Sequence, residues 1–533
     1  MKRVVVLVMV AALVLAAAGT TIAVLLSAGT DEPSGTMRRG GATDGSEPDP
    51  QPAPSSDVPE RKAEARKAPV AGLQTYYDQT ISWEACGRNQ CAWVEVPLDY
   101  AKPQGERIKL RMIKIAAGEP SRRIGSMVIN PGGPGGSGVE YAKQADYAFG
   151  KVVRDRYDIV GFDPRGVGAS APIDCLTDAE LDAWYAKDPT PDTPAEVAEA
   201  QRWSDRFGAG CVEHSGALAA HVSTVEAARD LDVIRAVLDE STLTYFGASY
   251  GTKLGATYAD LFPKRSGRLV LDGAVDVSLT AREASLGQAG GFEIALRAYV
   301  DNCVKAGSCF LGADREAALD RITALLAELE AEPIKVGDRE LTAGNAFYGI
   351  ALPLYNRDYW VLLDEALRDV LDGDGAALLT LFDYYAAREG DGYADNSSEA
   401  IWAINCLDDS SSIPARKVKK ALPEFEKASP TFGDIFAWDL VSCHGLAVPE
   451  AAKRPPLTAA GAQPLLVIGT TRDPATPYAW AQALAKQLDP AILVTRDGDG
   501  HTGYNMGNDC VDDVVENYLI GGTVPSADVT CPA

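Results

Sequence analysis

Leu243-Thr244-Tyr245-Phe246-Gly247-Ala248-Ser249-Tyr250-Gly251 runs directly into Thr252-Lys253-Leu254-Gly255-Ala256-Thr257-Tyr258, so a short apolar run is followed by a G-x-S-x-G turn and then by small residues. The first part has the composition of a buried strand and the last that of a helix. A serine at the apex of such an elbow is held in a strained conformation with its hydroxyl presented to a cleft, and small neighbours let strand and helix approach. G-x-S-x-G is a common string, and the strand before it and the helix after it give it meaning. Ser249 is the candidate nucleophile.

A serine hydroxyl is a poor nucleophile until a base takes its proton. The chain has four histidines, and in a fold built on this elbow the base follows the nucleophile and lies near the C-terminus. His214 and His221 come too early, and His444 adjoins Cys443, a cysteine expected in a disulfide. His501 remains, in the glycine-rich loop 497–503 that follows the strand-like run Ala491 to Thr495. The acid should follow the previous strand-like run, Pro464 to Ile468, and Asp473 does, in Gly469-Thr470-Thr471-Arg472-Asp473-Pro474-Ala475-Thr476-Pro477. Asp473 would hold the imidazole in the right tautomer and stabilise its cation. Asp497 and Asp499 share the histidine's own loop and are poorly placed to orient it, yet they stand as rivals. The order Ser, Asp, His is that of the α/β-hydrolase fold and not of chymotrypsin or subtilisin.

Acyl transfer also needs donors for the oxyanion, namely the amide after the nucleophile and one from an early strand-to-helix loop. Val128-Ile129-Asn130-Pro131-Gly132-Gly133-Pro134-Gly135-Gly136-Ser137-Gly138 fits the second, so the predicted donors are the amides of Tyr250 and Gly133. The same run lacks the Gly-Lys-Ser/Thr ending of a phosphate-binding loop and the spacing of a dinucleotide fingerprint, which argues against nucleotide binding.

Outward from the elbow, strand-like runs at Ile124 to Ile129, Tyr157 to Phe162 and Leu269 to Leu271 alternate with helical stretches such as Val225 to Leu238. Alternation of this kind predicts an α/β fold with a mostly parallel central sheet and helices on both faces. Long amphipathic stretches, as in Arg315 to Ala331 and Trp360 to Leu371, then replace it before it returns near Pro464. The expected organisation is hydrolase core over 71–276, a helical cap inserted over 277–455, and the rest of the core over 456–533.

The N-terminus carries Lys2 and Arg3 before an apolar run from Val4 to about Ser27, the pattern of an export signal over 1–29. Ala16-Ala17-Ala18 offers a cleavage site, whereas the run's length also suits an uncleaved membrane anchor. Residues 30–70, dense in Pro, Gly, Ser, Asp and Glu, read as a flexible linker. The 533-residue chain has 50 Lys and Arg against 75 Asp and Glu, a net charge of −25 that disfavours nucleic acid and anionic lipid surfaces.

Ten cysteines, all after the signal, suit an oxidising compartment. Pairing of sequence neighbours gives Cys86 with Cys91, Cys175 with Cys211, Cys303 with Cys309, Cys406 with Cys443, and Cys510 with Cys531. Only His444 beside Cys443 comes near a metal-ligand arrangement, so no metal is expected, and triad chemistry needs no cofactor.

Together, Gly132-Gly133-Pro134-Gly135-Gly136, Asp163-Pro164-Arg165-Gly166-Val167-Gly168-Ala169-Ser170, the Ser249 elbow, Ala403-Ile404-Asn405-Cys406-Leu407-Asp408 and the Asp473 and His501 loops resemble the secreted bacterial tripeptidyl aminopeptidases and their prolyl-aminopeptidase relatives. The likeness runs from about Leu73 to the C-terminus. It implies release of short peptides, typically tripeptides, from substrates with a free N-terminus. One departure is Asn130-Pro131, where the prolyl-aminopeptidase relatives carry a His-Gly opening. An exopeptidase also needs an anion to pair with the substrate's ammonium, and Asp408 or Asp409 is the expected source. A secreted carboxylesterase or lipase acting on small acyl substrates uses the same machinery and is the alternative; a non-catalytic binder of this fold would lack a triad member, and all three are here.

Overall fold

The apolar runs become strands, and the computed structural model describes them within residues 64–448 and 456–533. In chain order they are β1 (Glu84–Cys86), β2 (Asn89–Pro97), β3 (Arg107–Ile115), β4 (Gly125–Asn130), β5 (Tyr157–Phe162), β6 (Leu243–Ala248) and β7 (Ser266–Asp272). Two small hairpins follow, β8 (Ile334–Val336) with β9 (Arg339–Leu341) and β10 (Arg388–Glu389) with β11 (Gly392–Tyr393), before β12 (Leu465–Arg472), β13 (Ala491–Asp499) and β14 (Val529–Cys531). All but the hairpin strands form one ten-stranded sheet in the order β1-β2-β3-β5-β4-β6-β7-β12-β13-β14. Pairing is antiparallel from β1 to β5 and parallel from there to β14. Every residue of β4 is buried, and β6, β7 and β12 are nearly so. That is why these strands read as continuous apolar runs: a parallel strand is covered by helices on both faces. The architecture is the α/β-hydrolase fold.

Between β7 and β12 the chain leaves the sheet and builds a second apolar core from residues such as Leu296, Leu325, Phe347, Leu367 and Phe436. The boundaries expected for this cap need two changes. Tyr185 belongs to the cap's core and Ser204 Oγ donates to Val441 O at 2.6 Å, whereas Leu181, Phe207 and Cys211 lie in the core under the sheet, so helices Asp178–Ala186 and Pro194–Ser215 bridge cap and core although they precede the elbow. Helix Ser397–Asp408, counted with the cap, instead lays Ala400, Ala403 and Leu407 into the core under the sheet. Helical periodicity alone does not say which of two cores a helix joins.

Five disulfides join Cys86 to Cys91, Cys175 to Cys211, Cys303 to Cys309, Cys406 to Cys443 and Cys510 to Cys531. The fourth ties helix Ser397–Asp408 to the end of the cap. The export segment and most of the expected linker lie outside the described residues. The linker's last residues are packed, contrary to expectation: Ala65 is buried and Arg66 Nε donates to Asp239 at 2.6 Å, because the guanidinium finds a carboxylate on the core. Among the described residues, no helix is long and apolar enough to cross a membrane.

Candidate active site

Ser249 sits between β6 and helix Tyr250–Leu261 with φ 55°, a left-handed conformation that costs a non-glycine residue energy. The elbow is pinned by Ser249 N, which donates to Asp272 O at the end of β7 at 2.8 Å. It is also tight. A Cβ on Gly247 would lie 2.4 Å from Gly251 O, so position 247 must be glycine for strand and helix to cross this closely.

The glycine-rich loop after β4 lies against the elbow. A Cβ on Gly132 would come within 2.7 Å of Ser249 Cβ and 3.0 Å of Tyr250 N. Asn130, buried, turns its Oδ1 to the amide of Gly132 at 3.0 Å and so consumes that donor. Among the described residues, the amides of Gly133 and Tyr250 donate to nothing. They are the two predicted oxyanion donors, and the loop brings them to the same elbow. The Asp163 to Ser170 run plays a supporting part, for Arg165 is wholly buried in a two-pronged ion pair with Asp230, both bonds 2.7 Å.

Asp473, at the end of β12, is almost fully buried and its carboxylate is held by many donors. Oδ1 accepts from Ala475 N at 3.0 Å and Thr476 N at 2.8 Å, and Oδ2 from Thr476 Oγ1 at 3.0 Å and Thr502 N at 3.2 Å. His501 Nδ1 lies 2.9 Å from both oxygens. A carboxylate so placed assigns the imidazole proton to Nδ1 and leaves the Nε2 lone pair free. Nε2 is buried without a hydrogen-bond partner among the described residues, and Ser249 Oγ has none either. The end of β7 brings these two groups together: Asp272 O holds Ser249, and a Cβ on the next residue, Gly273, would touch His501 Cε1 at 3.1 Å.

Burial works against the imidazolium, but the charges of Asp473 and, behind it, Asp272 more than offset it, and the His501 pKa is raised. The rival acids are committed elsewhere. Asp497 accepts from Arg472 at 3.0 Å, and Asp499 pairs with Arg472 and, at 3.1 Å, with Arg357 of the cap. The other histidines have their own acids: His214 beside Asp174, His221 on Glu226, and His444 on Asp205.

Both acids predicted to bind a substrate amine already have partners within the fold. Asp408 accepts from the Thr224 amide at 2.9 Å and from its hydroxyl, and pairs with Lys253 at 2.7 Å. Asp409 accepts from the Ala281 amide at 2.6 Å and the Ser411 amide at 2.9 Å. Both cap helix N-termini, where orphan amides attract carboxylates.

Three residues of the site were not singled out from the sequence. Asp272 is buried, accepts from Gly503 N at 2.8 Å and Tyr504 N at 2.9 Å, and so fixes the loop that carries His501; burial pushes its carboxyl up to about 6. Thr476 Oγ1 lies 3.3 Å from His501 Nδ1. Tyr355, from the cap, sets its ring edge-on to the imidazole at 5.4 Å. A polar residue closing a buried parallel strand, as in Leu269-Val270-Leu271-Asp272, was the signal available for Asp272.

The sequence has relatives that cover nearly its whole length. A family model described as "TAP-like protein" matches residues 429–531. A Mycobacterium tuberculosis protein named serine protease Hip1 is 38% identical over 480 residues, 85% of this chain and 91% of the relative. A Streptomyces lividans tripeptidyl aminopeptidase is 33% identical over 485 residues, 88% of this chain and 89% of the relative. A second M. tuberculosis protein, named carboxylesterase B, is 36% identical over 460 residues, 83% and 86% of the two chains.

Proposed function

Since this chain belongs to the tripeptidyl aminopeptidase family of α/β-hydrolase serine peptidases, it is a serine exopeptidase, and we propose that Ser249, His501 and Asp473 carry its chemistry on the N-termini of peptides. The observation that carries this reading is the imidazole itself, bound by Nδ1 to a many-bonded buried carboxylate at 2.9 Å and bare at Nε2 beside the Ser249 elbow.

In the proposed reaction Ser249 Oγ attacks the carbonyl of the scissile peptide while His501 Nε2 takes the hydroxyl proton. The oxyanion so formed lies against the amides of Gly133 and Tyr250, which are rigidly placed and spend nothing on reorganisation. Asp473 stabilises the imidazolium, which then gives its proton to the leaving amine as the carbon–nitrogen bond breaks. Water, deprotonated by the same nitrogen, cleaves the acyl-enzyme and restores Ser249. The leaving group is the rest of the substrate chain, and the acyl part is the short N-terminal peptide, a tripeptide by likeness to the Streptomyces relatives. No metal or cofactor enters this scheme. The N-terminal Lys2, Arg3 and apolar run support export of the protein, and the ten cysteines support an oxidising destination.

The carboxylesterase named among the relatives favours a second reading, hydrolysis of small acyl esters by the same triad. Turnover of tripeptidyl p-nitroanilides with a free amine, set against p-nitrophenyl esters of short acids, separates the two. Preference for the peptide substrates is expected; preference for the esters would overturn the exopeptidase assignment.

A further inference from the structure

Tyr250 lends the proposed reaction only its backbone amide, yet its side chain is firmly tied. The residue opens helix Tyr250–Leu261, so its amide is one of the N-terminal donors that find no carbonyl within the helix. Its ring is buried, and its hydroxyl lies 2.6 Å from Thr224 Oγ1. Thr224, also buried, is the first residue of helix Thr224–Val237. Its hydroxyl bonds to Asp408 Oδ2, and its amide donates to Asp408 Oδ1 at 2.9 Å. Lys253 Nζ, from the first turn of the nucleophile's own helix, pairs with the same Oδ2 at 2.7 Å.

Counting protons fixes the direction of this chain. A carboxylate only accepts, so the single proton of the Thr224 hydroxyl goes to Asp408, and Thr224 Oγ1 is left to accept from Tyr250. Burial and the Asp408 anion both hold the Tyr250 phenol in its protonated, donating form. The order is therefore Tyr250 to Thr224 to Asp408, and the Lys253 ammonium offsets the anion at its end.

The other end of the tie is the elbow. A Cβ on Gly132 would come within 2.7 Å of Ser249 Cβ and 3.0 Å of Tyr250 N, which places that amide beside the nucleophile and the glycine-rich loop. Residue 250 is thus held at its backbone by the elbow and at its hydroxyl by Thr224. An oxyanion donor is effective when it is aimed before the charge develops, and small displacements of such a group cost rate. Asp408 is anchored in turn, because Cys406 of the same helix is bonded to Cys443 at the end of the cap.

We propose that Asp408, acting through Thr224 and the Tyr250 hydroxyl, is a positioning residue for the oxyanion amide of Tyr250. This rests on the reading above, in which that amide receives the oxyanion formed by attack of Ser249. It gives the run Ala403 to Asp408 a task at the nucleophile's helix, in place of the amine binding expected of Asp408.

The test uses Tyr250→Phe, Asp408→Asn and the double variant, with a free-amine tripeptidyl p-nitroanilide as substrate and a tripeptidyl boronic acid that adds to Ser249 as a tetrahedral analogue. Tyr250→Phe deletes the one oxygen that ties the ring. Asp408→Asn keeps the shape but puts an N–H donor where Oδ2 accepted, so the Thr224 proton turns to Tyr250 and the phenol loses its acceptor. Each single change is expected to lower kcat about tenfold, a part of the roughly 10²- to 10³-fold that loss of a whole oxyanion donor costs. KM should stay within about twofold, and boronate affinity should fall with kcat, because both report the tetrahedral state. In the double variant kcat should remain within about twofold of the larger single loss, since both changes cut one chain. Losses that multiply to about 100-fold overturn the proposal, as does a rise in KM with kcat and boronate affinity unchanged. Should Asp408→Asn fail to fold, Tyr250→Phe still decides, because wild-type kcat and boronate affinity in that variant overturn the proposal. Peptide release that survives Ser249→Ala refutes the triad reading instead, an outcome distinct from these.

Discussion

The backbone amide of His501 donates to the carbonyl of Tyr355 at 2.7 Å. One end of this bond is a loop of the sheet and the other is the cap, so the candidate base takes its position from both halves of the molecule. Arg357, two residues on in the cap, adds an ion pair to Asp499 beside the same loop at 3.1 Å. The cap is therefore part of the catalytic frame as well as a cover for it.

Tyr355→Ala removes the ring that packs edge-on against the imidazole and leaves the loop free to shift. A fall in kcat of about tenfold or more is expected, since small misplacements of a catalytic group are costly. Tyr355→Phe, which keeps the ring, should turn over at close to the wild-type rate. Equal kcat for Ala and Phe would remove the cap from the positioning of His501.

Asp473→Asn loses the anion that fixes the tautomer, and kcat should fall on the order of 10⁴-fold, as such a change does in triad enzymes. Asp497→Asn and Asp499→Asn, which break partly exposed ion pairs with arginine, should cost no more than about threefold. A large loss on either of these with activity retained in Asp473→Asn would reassign the acid.

The pH profile follows from the same carboxylates. Burial lowers the His501 pKa and Asp473 with Asp272 raises it by more, so the net shift is upward. His501 must be neutral to accept the Ser249 proton, and activity therefore falls as pH drops through a value above the ordinary histidine pKa. Asp272→Asn withdraws part of the upward pull and should move this acidic limb of kcat/KM to lower pH. A limb that moves to higher pH would contradict the arrangement.

Much of this site was legible in the sequence because its geometry is local. The elbow needs Gly247, Ser249 and Gly251 in a row, and strand-loop order leaves His501 and Asp473 few competitors. The partners of Asp408 and Asp409 were not legible for the opposite reason. Asp408 and Asp409 stand in a recognisable run, but their partners, the amides of Thr224 and Ala281, come from distant parts of the chain. The same limit placed helix Ser397–Asp408 with the cap, although its buried face joins the core under the sheet.

Glu399 gives a prediction about stability. It is buried, accepts from the amides of Cys175 and Leu176, and burial pushes its carboxyl up to about 7 against those two bonds. A raised carboxyl contributes stability that is present below the unfolded pKa and is lost as pH rises through the folded value. The wild-type Tm should therefore lose this contribution between about pH 4 and pH 7, and Glu399→Gln, with nothing to ionise, should show a shallower decline across that window. Parallel Tm curves for the two proteins would show that Glu399 is not raised in the fold.

The most direct measurement is mass spectrometry of the products from one polypeptide with a free N-terminus and the same polypeptide with that terminus acetylated, each treated with wild-type protein and with Ser249→Ala. The wild type should release the first three residues of the free polypeptide and leave the acetylated one largely intact, and Ser249→Ala should release nothing from either. Tripeptide release that survives in Ser249→Ala, or internal fragments from the blocked polypeptide, would contradict the account.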